Sequence, residues 1–134
     1  PGVVRLAGYL SKQGHYAEYY DVNLYNVTSN GPDVEEKIRE REWDIIGFSC
    51  LDDSLENDIQ DMYLAKRIWP KAPIVAGGME AQCNYQTMPD KSPCNIVIMA
   101  EGEIPISMLA DDKPYQDIPG IIFKNNAKPL SQKD

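Results

Sequence analysis

Residues 44–78 hold two short apolar runs with a helical pattern between them. The runs read DIIGFSC at residues 44–50 and IVAGG at residues 74–78. Continuous apolar runs of this length are typical of parallel strands that are covered on both faces. Between them, residues 54–69 carry apolar side chains at helical spacing, and Pro70 follows where the helix would end. This order predicts a strand–helix–strand crossover in which residues 44–50 form a central strand.

The same alternation of strands and helices extends in both directions. Downstream, residues 95–100 read NIVIMA and predict a further buried strand, and residues 104–109 predict a short helix. Upstream, apolar side chains recur at helical spacing and predict a helix that ends near Gly14. These apolar side chains are Val3, Leu6, Ala7 and Leu10.

The residues between that first helix and residue 44 predict one more strand and one more helix. Residues 17–24 are rich in strand formers but carry charges, which favours an edge strand. Residues 31–33 read GPD and predict a helix with Pro32 at its first position and with Val34 and Ile38 on its inner face. The whole pattern predicts an α/β fold, namely a Rossmann-like (flavodoxin-like) doubly wound parallel sheet in three α/β/α layers.

One strand of this topology has no counterpart in the sequence. In the strand order 2-1-3-4-5, the first strand lies between the second and third and is buried on both faces. The chain opens instead on a helix, and its first residue is proline and not methionine. We therefore expect the first strand to precede residue 1. The alternative is a different strand order in which residues 17–24 are truly first.

Composition and charge exclude several classes of protein. The 134 residues are 43% apolar and 25% charged, which is ordinary for one globular domain. Thirteen basic and twenty-one acidic residues give a net charge of -8, the wrong sign for a nucleic-acid or anionic-membrane surface. No apolar run approaches the length of a membrane span, and the start lacks the pattern of a signal peptide. We therefore expect a cytoplasmic protein.

The character of the sequence changes after residue 112. Residues 121–123 and 127–130 flank a KNN turn and predict a small hairpin. We therefore divide the chain into a Rossmann-like domain over residues 1–112 and a connector over residues 113–134.

Three short segments follow the predicted strands at their carboxyl ends, where open α/β sheets bind their ligands. They comprise Ser49, Cys50, Leu51, Gly77, Gly78, Met79, Glu101, Gly102 and Glu103. Adjacent glycines let a backbone approach a large ligand without a Cβ in the way. Each segment also has a purely structural interpretation, as a strand-ending turn, a loop cap or the acidic first turn of a helix.

Other kinds of site find less support in the sequence. His15 is the only histidine, so a histidine-based metal cluster or nucleophile–base pair is excluded. The acidic residues between positions 52 and 61 could hold Mg²⁺, but a solvated loop and helix face is the simpler interpretation. The three cysteines, at positions 50, 83 and 94, fit neither a disulfide framework nor a zinc site. We predict reduced thiols, no metal ligands and no catalytic residues in this chain.

Several segments, taken in order, resemble the amino-terminal cobalamin (vitamin B12)-binding-type domain of radical S-adenosylmethionine enzymes. They are WDIIGFSC at residues 43–50, APIVAGG at 72–78, AEGE at 100–103 and IPGII at 118–122, preceded by GYL and GHY within residues 8–16. The resemblance covers nearly the whole chain. It implies a domain that holds cobalamin against the carboxyl ends of its strands and that precedes a barrel with a 4Fe-4S cluster.

The resemblance also implies roles for the three strand-end segments. Residues 49–51 would lie against the nucleotide tail or corrin edge, residues 77–79 would form a close backbone wall, and residues 101–103 would flank the other side. These are contacts and not catalysts. The Asp-x-His-x-x-Gly motif of base-off cobalamin proteins is absent, so cobalt without a protein histidine ligand is expected.

The resemblance makes this chain a fragment of an Fe-S oxidoreductase or methyltransferase. The cluster-binding Cys-x3-Cys-x2-Cys triplet is absent, so reductive cleavage of S-adenosylmethionine would need the downstream radical barrel of the same polypeptide. The chain would not be catalytic on its own. The alternative is a degenerate Rossmann-like domain that binds no cofactor and serves a structural or interaction role.

Overall fold

The computed structural model describes residues 2–21, 33–50, 55–99 and 101–123. The helices are α1 (Gly2–Lys12), α2 (Val34–Arg39), α3 (Leu55–Ile68), α4 (Met79–Cys83), α5 (Met88–Lys91) and α6 (Glu103–Ala110), with a 3₁₀ turn at Tyr115–Asp117. The strands are β1 (Ile46–Ser49), β2 (Ile74–Gly77), β3 (Ile96–Ile98) and β4 (Ile121–Phe123).

The four strands form one sheet in the order β1-β2-β3-β4. Strands β1, β2 and β3 are parallel, with Ser49 opposite Gly77 and Ala76 opposite Val97. Strand β4 is antiparallel to β3. The predicted crossover is confirmed, since α3 connects β1 to β2, and the sheet with its flanking helices has the predicted Rossmann-like class.

Each face of the sheet carries its own core cluster, because successive strand residues point to opposite faces. The first core cluster consists of Ile38, Cys50, Met62, Ala65, Ile74, Ala76, Ala81, Met88, Cys94 and Val97. The second core cluster consists of Val75, Ile96, Ile98, Ile106, Leu109, Tyr115 and Ile118. Helices α2 and α3 therefore cover one face, and α6 covers the other together with α1, whose Leu6 and Leu10 pack against the second cluster.

Local signals in the sequence explain where two of the helices begin or end. Gly14 has φ of +92° just after α1, and the amide of His15 donates to the carbonyl of Leu10, so the predicted end of this helix is confirmed. Helix α2 begins at Val34, two residues later than predicted. Asp33 is its N-cap in a capping box with Glu36, so Pro32 is not its first helical residue.

One predicted strand differs from the structure, and the described sheet does not test the central position predicted for another. Residues 17–21 form no strand, and residues 22–24 lie outside the described residues. The charges at Glu18 and Asp21 mark a surface segment, and Glu18 in fact binds Lys37 of α2. Strand β1 is not central in the described sheet but lies at its edge. An apolar run shows that a strand is covered but does not show how many neighbours it has.

The end of the chain is described only as far as Phe123. The first half of the predicted hairpin, Ile121–Phe123, pairs with β3 as part of the main sheet. The second half lies outside the described residues, so the domain boundary at residue 112 stays a prediction. None of the described helices has the length and apolar character that a membrane crossing requires.

Candidate cofactor site

The carboxyl ends of the parallel strands bring the predicted segments to one edge of the sheet. Ser49, Gly77, Gly78 and Gly102 all line a single groove of about 490 Å³. Leu51 lies outside the described residues. The structure therefore joins all three predicted segments at one place, and it does so mainly through residues that have small side chains or none.

Gly78 makes the closest backbone approach at this edge. Its φ is +92°, and a Cβ at this position would lie 2.8 Å from the carbonyl oxygen of Cys50. The amide of Cys50 donates to the carbonyl of Gly77 at 2.8 Å, and the amide of Glu80 donates to the carbonyl of Cys50 at 3.2 Å. The two strand ends are thus joined backbone to backbone, which only glycine at position 78 permits.

Gly77 is different, because it faces the groove. A Cβ at Gly77 would have only the Cβ of Ile98 within reach, at 4.0 Å. Gly47, on the same face of the neighbouring strand, would likewise meet only the carbonyl oxygen of Val75, at 3.9 Å. The floor of the groove is flat here because Gly47 and Gly77 have no side chains, and the space beside them is open.

The side chain of Cys50 points away from the groove into the first core cluster, where it is fully buried. Burial, with a further contribution from the negative charge of Asp58, raises the pKa of the Cys50 thiol to about 12. A thiol of this kind is neutral and unreactive. Only the backbone of Cys50 can therefore face a ligand in the groove.

The acidic segment at residues 101–103 packs against α1. Glu103 forms an ion pair with Arg5, with 3.1 Å between Oε1 of Glu103 and Nε of Arg5. A Cβ at Gly102 would lie 3.2 Å from the side chain of Leu6. Glu101 is exposed. Glu103 therefore holds the first turn of α1 at the carboxyl edge, in agreement with the structural interpretation of this segment.

Two exposed apolar side chains rim the same edge. Met79 is 74% exposed and Ile104 is 60% exposed, and they lie in the first turns of α4 and α6, the helices that follow β2 and β3. Met79 was expected here from the sequence, whereas Ile104 was assigned only to a helix. Ile104 could have been predicted at this edge from its position in the first turn of the helix that follows a strand.

The opposite, amino-terminal end of the groove carries polar and aromatic side chains that the sequence analysis missed. The guanidinium of Arg41 lies 3.8 Å from the ring centroid of Tyr16 and 5.7 Å from that of Trp43. Hydrogen bonds from Lys37 and from the Tyr16 hydroxyl lower the pKa of Glu18. His15 is also at this end, with Nε2 2.8 Å from Oδ1 of Asp111.

Among the described residues, no cluster of three or more His, Cys, Asp or Glu side chains could hold a metal ion. The acidic positions 52 and 53 lie outside those residues.

Residues 1–110 match the family described as B12 binding domain. The chain belongs to this family. No curated protein matches it. Among solved structures, this B12-binding domain is similar to a radical S-adenosylmethionine methyltransferase, TsrM, from Kitasatospora setae with cobalamin and a 4Fe-4S cluster bound, with a TM-score of 0.79 at 16% identity.

A second structure of TsrM, with tryptophan substrate and an S-adenosylmethionine analogue, gives a TM-score of 0.74 at 18% identity. Both matches cover 96% of this chain but only 26% of the TsrM chain. The fold is therefore shared over almost the whole domain, which spans about a quarter of the length of that enzyme.

Proposed function

We propose that this B12-binding domain holds cobalamin at the carboxyl edge of its sheet, within a larger radical S-adenosylmethionine enzyme. The observation that carries the proposal is the convergence of Ser49, Gly77, Gly78 and Gly102 on one groove. A broad, flat ligand needs such a surface, because each Cβ in its path would hold it off the backbone. Membership of the B12-binding family supports the same cofactor.

The residues of this chain would bind and orient the cofactor. Gly77 and Gly78 offer a close backbone wall, Ser49 offers a hydroxyl to polar groups at the cofactor's edge, and the exposed side chain of Met79 offers apolar contact. When bound, cobalamin supplies a cobalt centre that can carry a methyl group. The reactive chemistry belongs to the cofactor, and the protein provides position and surroundings.

The cobalt would receive no histidine from this chain. His15 is its only histidine, and it contacts Asp111, just beyond the carboxyl end of α6. That contact lies at the amino edge of the sheet, away from Gly77 and Gly78. We therefore propose that no histidine within residues 1–134 is a ligand to the metal.

The enzyme that contains this domain would place its iron–sulfur cluster and S-adenosylmethionine in a downstream barrel. TsrM supports this arrangement, since its structure has both cobalamin and a 4Fe-4S cluster bound. On this proposal the domain itself is not catalytic, residues 113–134 lead toward the barrel, and the enzyme acts in the cytoplasm.

The test is binding of hydroxocobalamin by the full polypeptide, followed by co-elution in gel filtration and by the visible spectrum. Gly77→Val should reduce the bound fraction at least about tenfold, because a branched side chain would enter the groove without meeting backbone. Gly8→Val is the matched control, since position 8 lies on α1 with open space around it.

The control should bind as the parent does, and both variants should keep the parent's circular dichroism. Free passage of the cofactor through the column with the parent protein would overturn the proposal. It would favour a domain that serves only a structural or interaction role. Equal binding by Gly77→Val would place the cofactor elsewhere.

A further inference from the structure

The carboxyl edge of the sheet is acidic. Glu80, Glu101 and Glu103 follow strands β2 and β3 at this edge. Burial and then the charge of Asp58 on α3 raise the pKa of the Cys50 thiol, so this carboxylate also lies near the edge. The whole chain has a net charge of -8. An anionic group that approaches the edge is therefore repelled unless a positive side chain lies next to it.

Arg5 supplies a positive charge at this edge. The groove is lined by three basic side chains, those of Arg5, His15 and Arg41. His15 and Arg41 lie at the amino-terminal end of the groove, where His15 contacts Asp111 and Arg41 stacks on Tyr16. Among the described residues that line the groove, Arg5 is thus the single basic side chain at the carboxyl edge.

One ion pair holds the Arg5 side chain in place. Nε of Arg5 lies 3.1 Å from Oε1 of Glu103, and the Arg5 side chain is 61% exposed. Glu103 is its only ion-pair partner among the described residues. A guanidinium has further N–H donors on its two Nη atoms, arranged as a planar fork. Because Glu103 is bound through Nε, this fork remains for a second anion.

Cobalamin, the cofactor proposed for this groove, carries one anionic group that fits such a fork. The side chains around its corrin ring are neutral amides, whereas its nucleotide tail is attached through a phosphodiester. A phosphodiester has a single negative charge shared by two unesterified oxygens. Arginine binds two oxygens of a phosphate through parallel N–H donors, and lysine does not. The chemistry of Arg5 therefore matches the tail of the cofactor and not its ring.

We propose that Arg5 binds the phosphate of the nucleotide tail and makes the groove selective for corrinoids that carry this tail. The inference rests on the proposed function and adds selectivity to it. Gly77 and Gly78 cannot provide that selectivity, because a wall of backbone accepts any corrin ring. Without Arg5, the phosphate would meet the carboxylates of the edge with no positive charge beside it.

Binding of two corrinoids by the full polypeptide tests the proposal. Hydroxocobalamin has the nucleotide tail, whereas cobinamide lacks the nucleotide and its phosphate. Arg5→Gln should weaken the binding of hydroxocobalamin by about tenfold or more, because it removes hydrogen bonds between charged groups. The same variant should bind cobinamide at least as tightly as the parent does. Arg5→Lys keeps the charge without the fork and should recover part of the loss.

Arg39→Gln is the matched control. Arg39 on α2 is also paired through Nε, at 3.0 Å from Oε2 of Glu35, and its side chain is 57% exposed. It does not line the groove. The control should bind both corrinoids as the parent does. Urea unfolding should show a small change in stability for both glutamine variants, because each loses one exposed ion pair.

Salt gives a measurement that does not need cobinamide. Raising sodium chloride from about 50 to about 500 mM should weaken hydroxocobalamin binding more in the parent than in Arg5→Gln, since salt screens the attraction between Arg5 and the phosphate.

The outcomes separate this inference from the proposed function. Equal affinity of the parent and Arg5→Gln for hydroxocobalamin would overturn the role of Arg5 and leave the proposed function in place. An equal loss of affinity for both corrinoids would also overturn it, and would assign Arg5 a structural role through Glu103. No binding of hydroxocobalamin by the parent would overturn the proposed function and this inference together.

Discussion

Two adjacent glycines at the end of β2 have different reasons to be glycine. The sequence shows only a pair, and a strand-ending turn and a ligand wall explain it equally well. In the structure, Gly78 has a backbone conformation that side chains rarely adopt and lies against Cys50, whereas Gly77 has ordinary strand geometry and open space beside it. The first is a requirement of the fold and the second is available for a ligand.

The two positions should therefore respond to alanine with opposite signs. Gly78→Ala should lower the free energy of unfolding by about 1–3 kcal/mol or more, since it combines a strained φ with a contact of 2.8 Å to the Cys50 carbonyl. Gly77→Ala should leave stability unchanged or raise it by up to about 1 kcal/mol, because it restricts the unfolded chain.

Urea unfolding followed by circular dichroism measures both. A Gly78→Ala protein as stable as the parent would show that the backbone approach between residues 50 and 78 is not required.

At the scale of elements, the start of β2 depends on one side chain from outside the strand. Oδ1 of Asn95 accepts from the amide of Ile74 at 2.9 Å, and the amide of Asn95 donates to the carbonyl of Ile74 at 2.9 Å. Nζ of Lys66, on α3, lies 3.4 Å from the same Oδ1. Asn95 thus extends the pairing of β2 with β3 by one residue and connects both strands to the helix.

Asn95→Ala should lower the free energy of unfolding by about 1–3 kcal/mol, because it leaves the amide of the fully buried Ile74 without its acceptor. Asn95→Asp keeps an oxygen at the same place, next to Lys66, and should retain most of the stability. Denaturant unfolding of the pair separates loss of the acceptor from loss of packing. Equal destabilisation by both changes would contradict this role for Oδ1.

The elements that the sequence predicted well are those whose signals are local. The helix at Leu55–Ile68 follows from its apolar spacing and the proline after it. The prediction of a strand at residues 17–21 was wrong. Glu18 in this segment forms an ion pair with Lys37 of α2, a contact that the local sequence pattern does not indicate.

The candidate site was predictable to the same degree. Ser49, Gly77, Gly78 and Gly102 share one groove because the carboxyl ends of parallel strands meet at one edge, which depends on topology alone. Cofactor contact by these residues stays a prediction. The rule gave no side-chain directions. It could not show that the Cys50 thiol faces the core, that Glu103 holds Arg5, or that Arg41 stacks on Tyr16 at the other end of the groove.

At the scale of the whole molecule, the sheet separates two core clusters, one on each face. The first core cluster contains two of the three cysteines, Cys50 and Cys94, which are 0% and 1% exposed. The Sγ of Cys94 also donates to the carbonyl of Ile96 at 3.1 Å. Cys83, at the end of α4, is exposed. Labelling of Cys83 therefore measures access to the surface, and labelling of Cys50 and Cys94 measures access to the first core cluster.

Thiol labelling with a disulfide reagent at pH 8 should accordingly modify one cysteine per domain in the folded state. Cys83 should react quickly, while Cys50 should react at least about 100-fold more slowly, because the thiolate is the reactive form and its pKa of about 12 leaves little of it. Cys94 should be slow because reagent cannot reach it. Cys83→Ser is the control and should remove the fast phase alone.

Rising urea should release Cys50 and Cys94 together with the loss of circular dichroism, because both belong to one core that unfolds as a unit. Release of these two thiols at urea concentrations where the circular dichroism is still native would show instead that the first core cluster opens separately.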